Sequence, residues 1–152
     1  LIEDAVIKAS GPISELLTRS DLSLAHRRQA ESLIFATAEK YDEGFQLNFL
    51  HTDLGTFVVP GKELNKGKRL RLRLAAQDIS ITLEAQNDTS ILNIFPAKVD
   101  ELYSENNAQL TVRLLINNLP VLAKITLKSA DNLKLEKGKA VFAQIKSVAV
   151  LA

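Results

Sequence analysis

The chain contains no cysteine. Disulfides, thiolate metal sites and cysteine nucleophiles are excluded with it, and the redox compartment stays open. Methionine is also absent. Leu1 falls inside a stretch that reads as structured, so the simplest expectation is a piece of a longer protein, and a missing leader says nothing about location. Aromatic residues are only 5% of the chain, too few for a stacking platform on single-stranded nucleic acid. Neither sign of charge is in excess. With 19 basic and 18 acidic residues and a net charge of +1, there is no electrostatic case for DNA, RNA or anionic lipid. No apolar run approaches the roughly 18 residues of a membrane span. What remains is 152 residues with 46% hydrophobic content, enough for one ordinary domain or two small ones.

The first 30 residues read as a short strand (Ala5–Ala9), a Gly11-Pro12 break and a helix, with Pro12 suited to a first helical position and Glu15 to the first turn. A second helical piece is expected from about Leu22 to Leu33, capped by Ser20 or Asp21. From about Ser32 the period changes to two. The stretches "FQLNFL", "TFVV", "LRLRLA", "ISITLEA", "AKVDELY", "QLTVRLLI", "VLAKITL" and "VFAQIKSVAVL" read as strands. Asp42-Glu43-Gly44, Pro60-Gly61, Gly67, Glu105-Asn106-Asn107 and Asn117-Asn118 supply the turns between them. So many short antiparallel strands point to a mainly β protein built of barrels, since closure removes exposed edges.

An internal repeat organises the β region. "ELNKGKRLRLRLAAQDISI" (Glu63–Ile81) and "NLKLEKGKAVFAQIKSVAV" (Asn132–Val150) share Lys-Gly-Lys followed by an alternating strand. Upstream, Tyr41 is set against Tyr103 and Gln46-Leu47 against Gln109-Leu110. The second unit holds an extra stretch containing "VLAKITLKSADNLKL". The expected divisions are 1–30, a first β-unit at 31–86 and a second at 87–152.

No catalytic constellation emerges. "GKELNKGK" (Gly61–Lys68) has five residues between its glycines, Arg69 where a phosphate loop needs Ser or Thr, and a strand after it where that loop needs a helix. His26 and His51 lack partners at metal-ligand spacing. Three stretches differ: "TSILN" (Thr89–Asn93), "TLKSADN" (Thr126–Asn132) and "KSV" (Lys146–Val148). The second reads as a strand running into a helical turn. Hydroxyls, turn N–H groups and one ammonium are all donors, a set that suits a small tetrahedral oxyanion. The same residues equally serve as turn caps and, for Lys146, as a guard on an apolar edge strand.

These motifs carry a resemblance. From about Thr89 to Leu151, "TSILNIFPAKV" and "AKITLKSADNLKLEKGKAVFAQIKSV" resemble, in order, the Mop-type molybdate-binding module of the transport-associated OB (TOBE) family. "LIEDAVIKASGPISELL" is similar to the closing strand and helix of an ABC-transporter ATPase domain, with Ala5 in place of the usual glycine. That order resembles the ATP-binding subunit of molybdate ABC importers. The resemblance implies OB-like barrels that pair as homodimers, with a molybdate or tungstate ion held at an interface. It also implies a cytoplasmic protein at the inner face of the membrane, partnered there by the importer's membrane subunit through an ATPase domain. ATP chemistry would lie in that missing domain, not in this fragment, which is no enzyme by itself, and no nucleic acid is implied. By position, the oxyanion residues would be Ser90, Thr126, Ser129, Lys146 and Ser147. Two departures stand out. Leu92 replaces the arginine of the family motif, and Asn132 replaces an arginine of related regulators, leaving one lysine to face a dianion. The alternatives are a stand-alone molybdate storage protein, which has no reason to start with an ATPase strand, and an oligonucleotide-binding OB protein, disfavoured by charge and aromatics.

Overall fold

The computed structural model describes residues 31–151; the expected strand at Ala5–Ala9 and the helical pieces before Glu31 lie outside them. Among the described residues the strands are β1 (Glu31–Asp42), β2 (Leu47–Thr52), β3 (Gly55–Pro60), β4 (Arg69–Ala75), β5 (Ile79–Thr82), β6 (Asn93–Ser104), β7 (Gln109–Ile116), β8 (Leu119–Thr126), β9 (Ala140–Ile145) and β10 (Ala149–Leu151). A helix, α1 (Leu127–Leu133), lies between β8 and β9, and a 3-10 turn, Ala76–Asp78, joins β4 to β5. The strands form two five-stranded sheets in the orders β10-β4-β1-β2-β3 and β5-β9-β6-β7-β8, a mainly β, OB-like architecture.

The local signals explain most of these elements. In β4, Leu70, Leu72 and Leu74 point inward and are buried, while Arg69, Arg71 and Arg73 alternate outward. Asn117 and Asn118 both take positive φ, 53° and 65°, which closes the β7–β8 hairpin with a primed turn. "GKELNKGK" is the connection from β3 into β4, and a strand follows it.

The two units repeat in three dimensions. β1 bulges between Ala38 and Lys40, β6 between Val99 and Glu101. At each bulge the same pair of bonds forms: Ala38 N–H to Lys68 and Gly67 N–H to Ala38, then Val99 N–H to Lys139 and Gly138 N–H to Val99. The bulges therefore match Ala38 with Val99 and Tyr41 with Leu102, one residue away from the Tyr41–Tyr103 match drawn from sequence. The hairpin tips of the two units touch, where the Asn117 amide donates to the Asp53 carbonyl at 2.7 Å.

Three further expectations are corrected. Ser32 and Leu33 do not end a helix; they open β1, paired with Leu74 and Arg73 of β4. "VFAQIKSVAVL" is two strands, because the chain breaks at Lys146–Val148. β9 runs between β5 and β6 inside the second sheet, and β10 crosses to pair with β4 of the first. β5 makes the reciprocal crossing onto β9, so the two units trade their last strands. Lys146 accordingly does not sit on an open edge strand: it stands in the crossover, its N–H bonded to the Asp78 carbonyl at 2.9 Å.

One apolar core runs through both sheets, from Leu50, Phe57 and Leu72 to Val112, Leu114 and Ile145. Asn93 spans the gap: its side chain accepts from Val58 N–H at 2.8 Å and donates to Val58 C=O at 3.0 Å. The repeat places Ser32 at the position of Asn93, but Ser32 Oγ is buried with no hydrogen-bond partner among the described residues. A buried, unpaired hydroxyl costs free energy. Ser32→Ala is therefore expected to leave stability unchanged or raise it by up to about 1 kcal/mol, read by denaturant unfolding. A clear loss of stability would mean that the hydroxyl is satisfied in solution.

Candidate functional site

Thr126 ends β8 and caps α1. Its Oγ1 accepts from Ser129 N–H at 3.0 Å and donates to Ser129 Oγ at 3.0 Å. Since Ser129 Oγ already accepts, its own proton is left for another acceptor. The helix is held at both ends. Leu127 N–H bonds the Ala108 carbonyl at 2.8 Å, and Lys139 Nζ donates to the Leu133 carbonyl at 2.7 Å. A cation there also complements the negative pole of the helix. Ala130, Leu133 and Leu135 pack on the core.

Ser129 lines a depression of about 260 Å³ with Ser80 and Ile81 of β5, Ile125, Asn132 and Leu133. Its far wall therefore comes from the exchanged strand of the first unit. Ser147 lines another depression, of about 240 Å³, whose wall includes Glu31, Arg73, Gln77 and Asp78. There Arg73 meets Glu31 at 3.6 Å, both half exposed. Lys146 and Ser147 are exposed. Ser90 is exposed in the β5–β6 connection and lines neither depression, and beside it Thr89 Oγ1 accepts from Ile91 N–H at 3.2 Å. Leu92 is 63% exposed.

The structure thus brings Thr126 and Ser129 together, with Asn132 on the same helix, and holds Lys146 and Ser147 apart from them. Both groups flank the segment Asp78–Ser80: one bonds the Asp78 carbonyl, the other faces Ser80. Sequence reasoning does not single out Ser80. The available signal is the repeat, which marks "ISI" as equivalent to the exchanged final strand.

The strand-exchanged pair of curled five-stranded sheets, with a hydroxyl-capped turn against the exchanged strand, defines an OB-like module. Residues 89–152 match the TOBE domain family, and the chain carries a TOBE domain. Over 151 residues it is 43% identical to the molybdenum import ATP-binding protein ModC of Albidiferax ferrireducens, covering 99% of this chain and 41% of that protein. It is 37% identical over 152 residues to ModC of Hahella chejuensis, covering 99% of this chain and 42% of that protein. The chain therefore spans about two fifths of the length of these relatives. Along almost its whole length the chain is similar to molybdenum-import ATP-binding proteins, the kind of protein its motifs resemble. Among solved structures, the cytoplasmic molybdate-binding protein ModG, in a form with molybdate bound, superposes with a TM-score of 0.68 at 17% identity, covering 86% of this chain and 99% of that one. At that identity the likeness is one of fold.

Proposed function

We propose that this chain is the regulatory and dimerisation part of a molybdate-import ATP-binding subunit, and that its TOBE half takes up molybdate or tungstate. The observation that carries this reading is the 43% identity to a molybdenum import protein across 99% of the chain. The divisions at residues 30/31 and 86/87 follow the same reading: an ATPase tail, a first β-unit and a Mop-type unit. An ATPase domain preceding the tail would perform ATP hydrolysis and dock on the importer's membrane subunit at the cytoplasmic face.

The chemistry of the site agrees with a tetrahedral dianion. Ser129, Ser80 and Asn132 offer neutral donors around one depression, while the positive charge of Lys146 stands with Ser147 on the other side of the Asp78–Ser80 segment. Donors and charge split in this way favour a site completed between two copies, with Lys146 and Ser147 of one copy set against the Thr126–Ser129 turn of the other. Ser90 joins this set as a proposed contact from the β5–β6 connection.

Calorimetric titration with molybdate, with sulfate as a comparison and light scattering to follow dimerisation, tests the proposal. Lys146→Ala should lower molybdate affinity roughly tenfold or more, since hydrogen bonds to charged groups contribute about 1.5–3 kcal/mol. Its melting temperature should not move, because the side chain is exposed. Leu92→Arg should strengthen binding by a similar factor without unfolding the protein, because Leu92 is 63% exposed and is not part of the core. No binding at millimolar molybdate in the parent and both variants would remove the oxyanion role and leave an architectural module.

A further inference from the structure

We propose that the outward face of the first sheet carries a separate binding site for a small molecule that joins a phosphate-type anion to a flat ring, a nucleoside mono- or diphosphate being the plainest case. The alternation in β4 sends Arg69, Arg71 and Arg73 outward. On β1, Thr37 lies opposite Arg69, Phe35 opposite Arg71 and Leu33 opposite Arg73, and His51 of β2 lies opposite Thr37. Arg73 is occupied by Glu31 at 3.6 Å. Among the described residues, Arg69 and Arg71 have no carboxylate within ion-pair distance. Phe35 is 81% exposed. A cleft of about 600 Å³ lies among Phe35, Thr37, His51, Asp53, Arg69 and Arg71, within the usual size of small-molecule sites.

The solvent face of a two-sided sheet is ordinarily polar, so a ring almost wholly in water, on the strand beside two guanidinium groups that have no carboxylate partner among the described residues, calls for an occupant. A guanidinium fork matches the oxygens of a phosphate in bidentate fashion. Successive outward positions on a strand lie roughly 6.6 Å apart, so two long arginine side chains converge on one phosphate or diphosphate. A ring beside them stacks a heterocycle whatever its substituents. Asp53, in the turn after β2, also lines the cleft, where its carboxylate would accept from hydroxyls while the arginines take the anion. This face carries arginine and aromatic residues, the composition of contact surfaces. A second copy seated symmetrically on the same face would set the arginine stripe against itself, so like-charge repulsion argues against self-association there. None of these residues belongs to the proposed oxyanion set.

The full chain titrated with AMP, ADP and inorganic pyrophosphate at low salt provides the test, in the parent and in Arg71→Ala, Phe35→Ala and Lys146→Ala. Nucleotides should bind more tightly than pyrophosphate. Arg71→Ala should weaken both classes, roughly tenfold to a hundredfold. Phe35→Ala should weaken the nucleotides about tenfold and leave pyrophosphate unchanged. Lys146→Ala should change neither, which keeps this site distinct from the oxyanion proposal. Absence of nucleotide binding at millimolar concentration would overturn the proposal. Binding indifferent to Arg71→Ala, or nucleotide binding no tighter than pyrophosphate and indifferent to Phe35→Ala, would overturn it equally.

Discussion

Phe57→Ala is expected to lower stability by about 3–5 kcal/mol and to do so for both sheets at once. Phe57 is fully buried, and its ring meets Phe95 of the second sheet at 4.8 Å between centroids, tilted by 39°. That tilted contact adds to the burial of each ring. Gly55 lies under the same pair: a Cβ there would come within 2.9 Å of the Phe95 ring, at a φ of 139° that side chains rarely adopt. The site therefore cannot collapse onto the space left by a missing ring without moving the β2–β3 turn. Because one core links the sheets and each holds a strand from the other's unit, neither unit is free to unfold alone. Denaturant unfolding followed by tyrosine fluorescence checks both statements. Tyr41 is on β1 and Tyr103 on β6, so variants carrying one tyrosine each report the two sheets separately. Coincident transitions, shifted together by Phe57→Ala, are expected. Two separated transitions would show that the units at 31–86 and 87–152 are energetically independent.

The strand exchange marks the limit of what local pattern carries. β4 is legible because leucine and arginine alternate with period two, and the β7–β8 hairpin because Asn-Asn tolerates positive φ. The start of β1 is not legible because its code is inverted. Ser32 faces the interior while Leu33 and Phe35 face outward, so apolar residues occupy both faces and a helix-like reading of "SLIF" becomes as good as a strand. The stretch Val141–Leu151 reads as one strand because apolar residues dominate on both sides of the break. That break is marked only by Lys146-Ser147, and the reason for it is that β4, far away in sequence, needs a partner. The capped turn at Thr126–Ser129 can be read from Thr-x-x-Ser after a strand, since the cap is made within three residues. Ser80 cannot be read in the same way. It faces that turn only because β5 pairs with β9, a long-range pairing with no local signature.

Asn93→Ala is expected to cost about 2–4 kcal/mol, more than its contact area suggests, because both of its bonds go to the backbone of one residue. Val58 lies on β3, the edge strand of the first sheet, and its N–H and C=O are each paired by the Asn93 amide at 2.8 and 3.0 Å. Asn93 is itself 8% exposed, so removing the amide leaves two backbone groups facing an apolar gap that water enters poorly. Asn93→Asp separates this account from a simple loss of packing. A protonated carboxyl accepts from Val58 N–H and donates to Val58 C=O, reproducing both bonds. An ionised one keeps the first and sets negative charge against the carbonyl oxygen, in a buried place. Burial and that carbonyl both raise the folded-state pKa of the new carboxyl above its unfolded value of about 3.9. The folded state then binds more protons than the unfolded one as pH rises above that value, so stability falls with pH across the interval between the two. The Asn93→Asp variant should therefore approach the parent below about pH 4 and lose stability relative to it toward neutrality. Denaturant midpoints for both proteins across that range decide the matter. A stability difference that does not change with pH would mean that the two bonds are not what joins β6 to the edge of the first sheet.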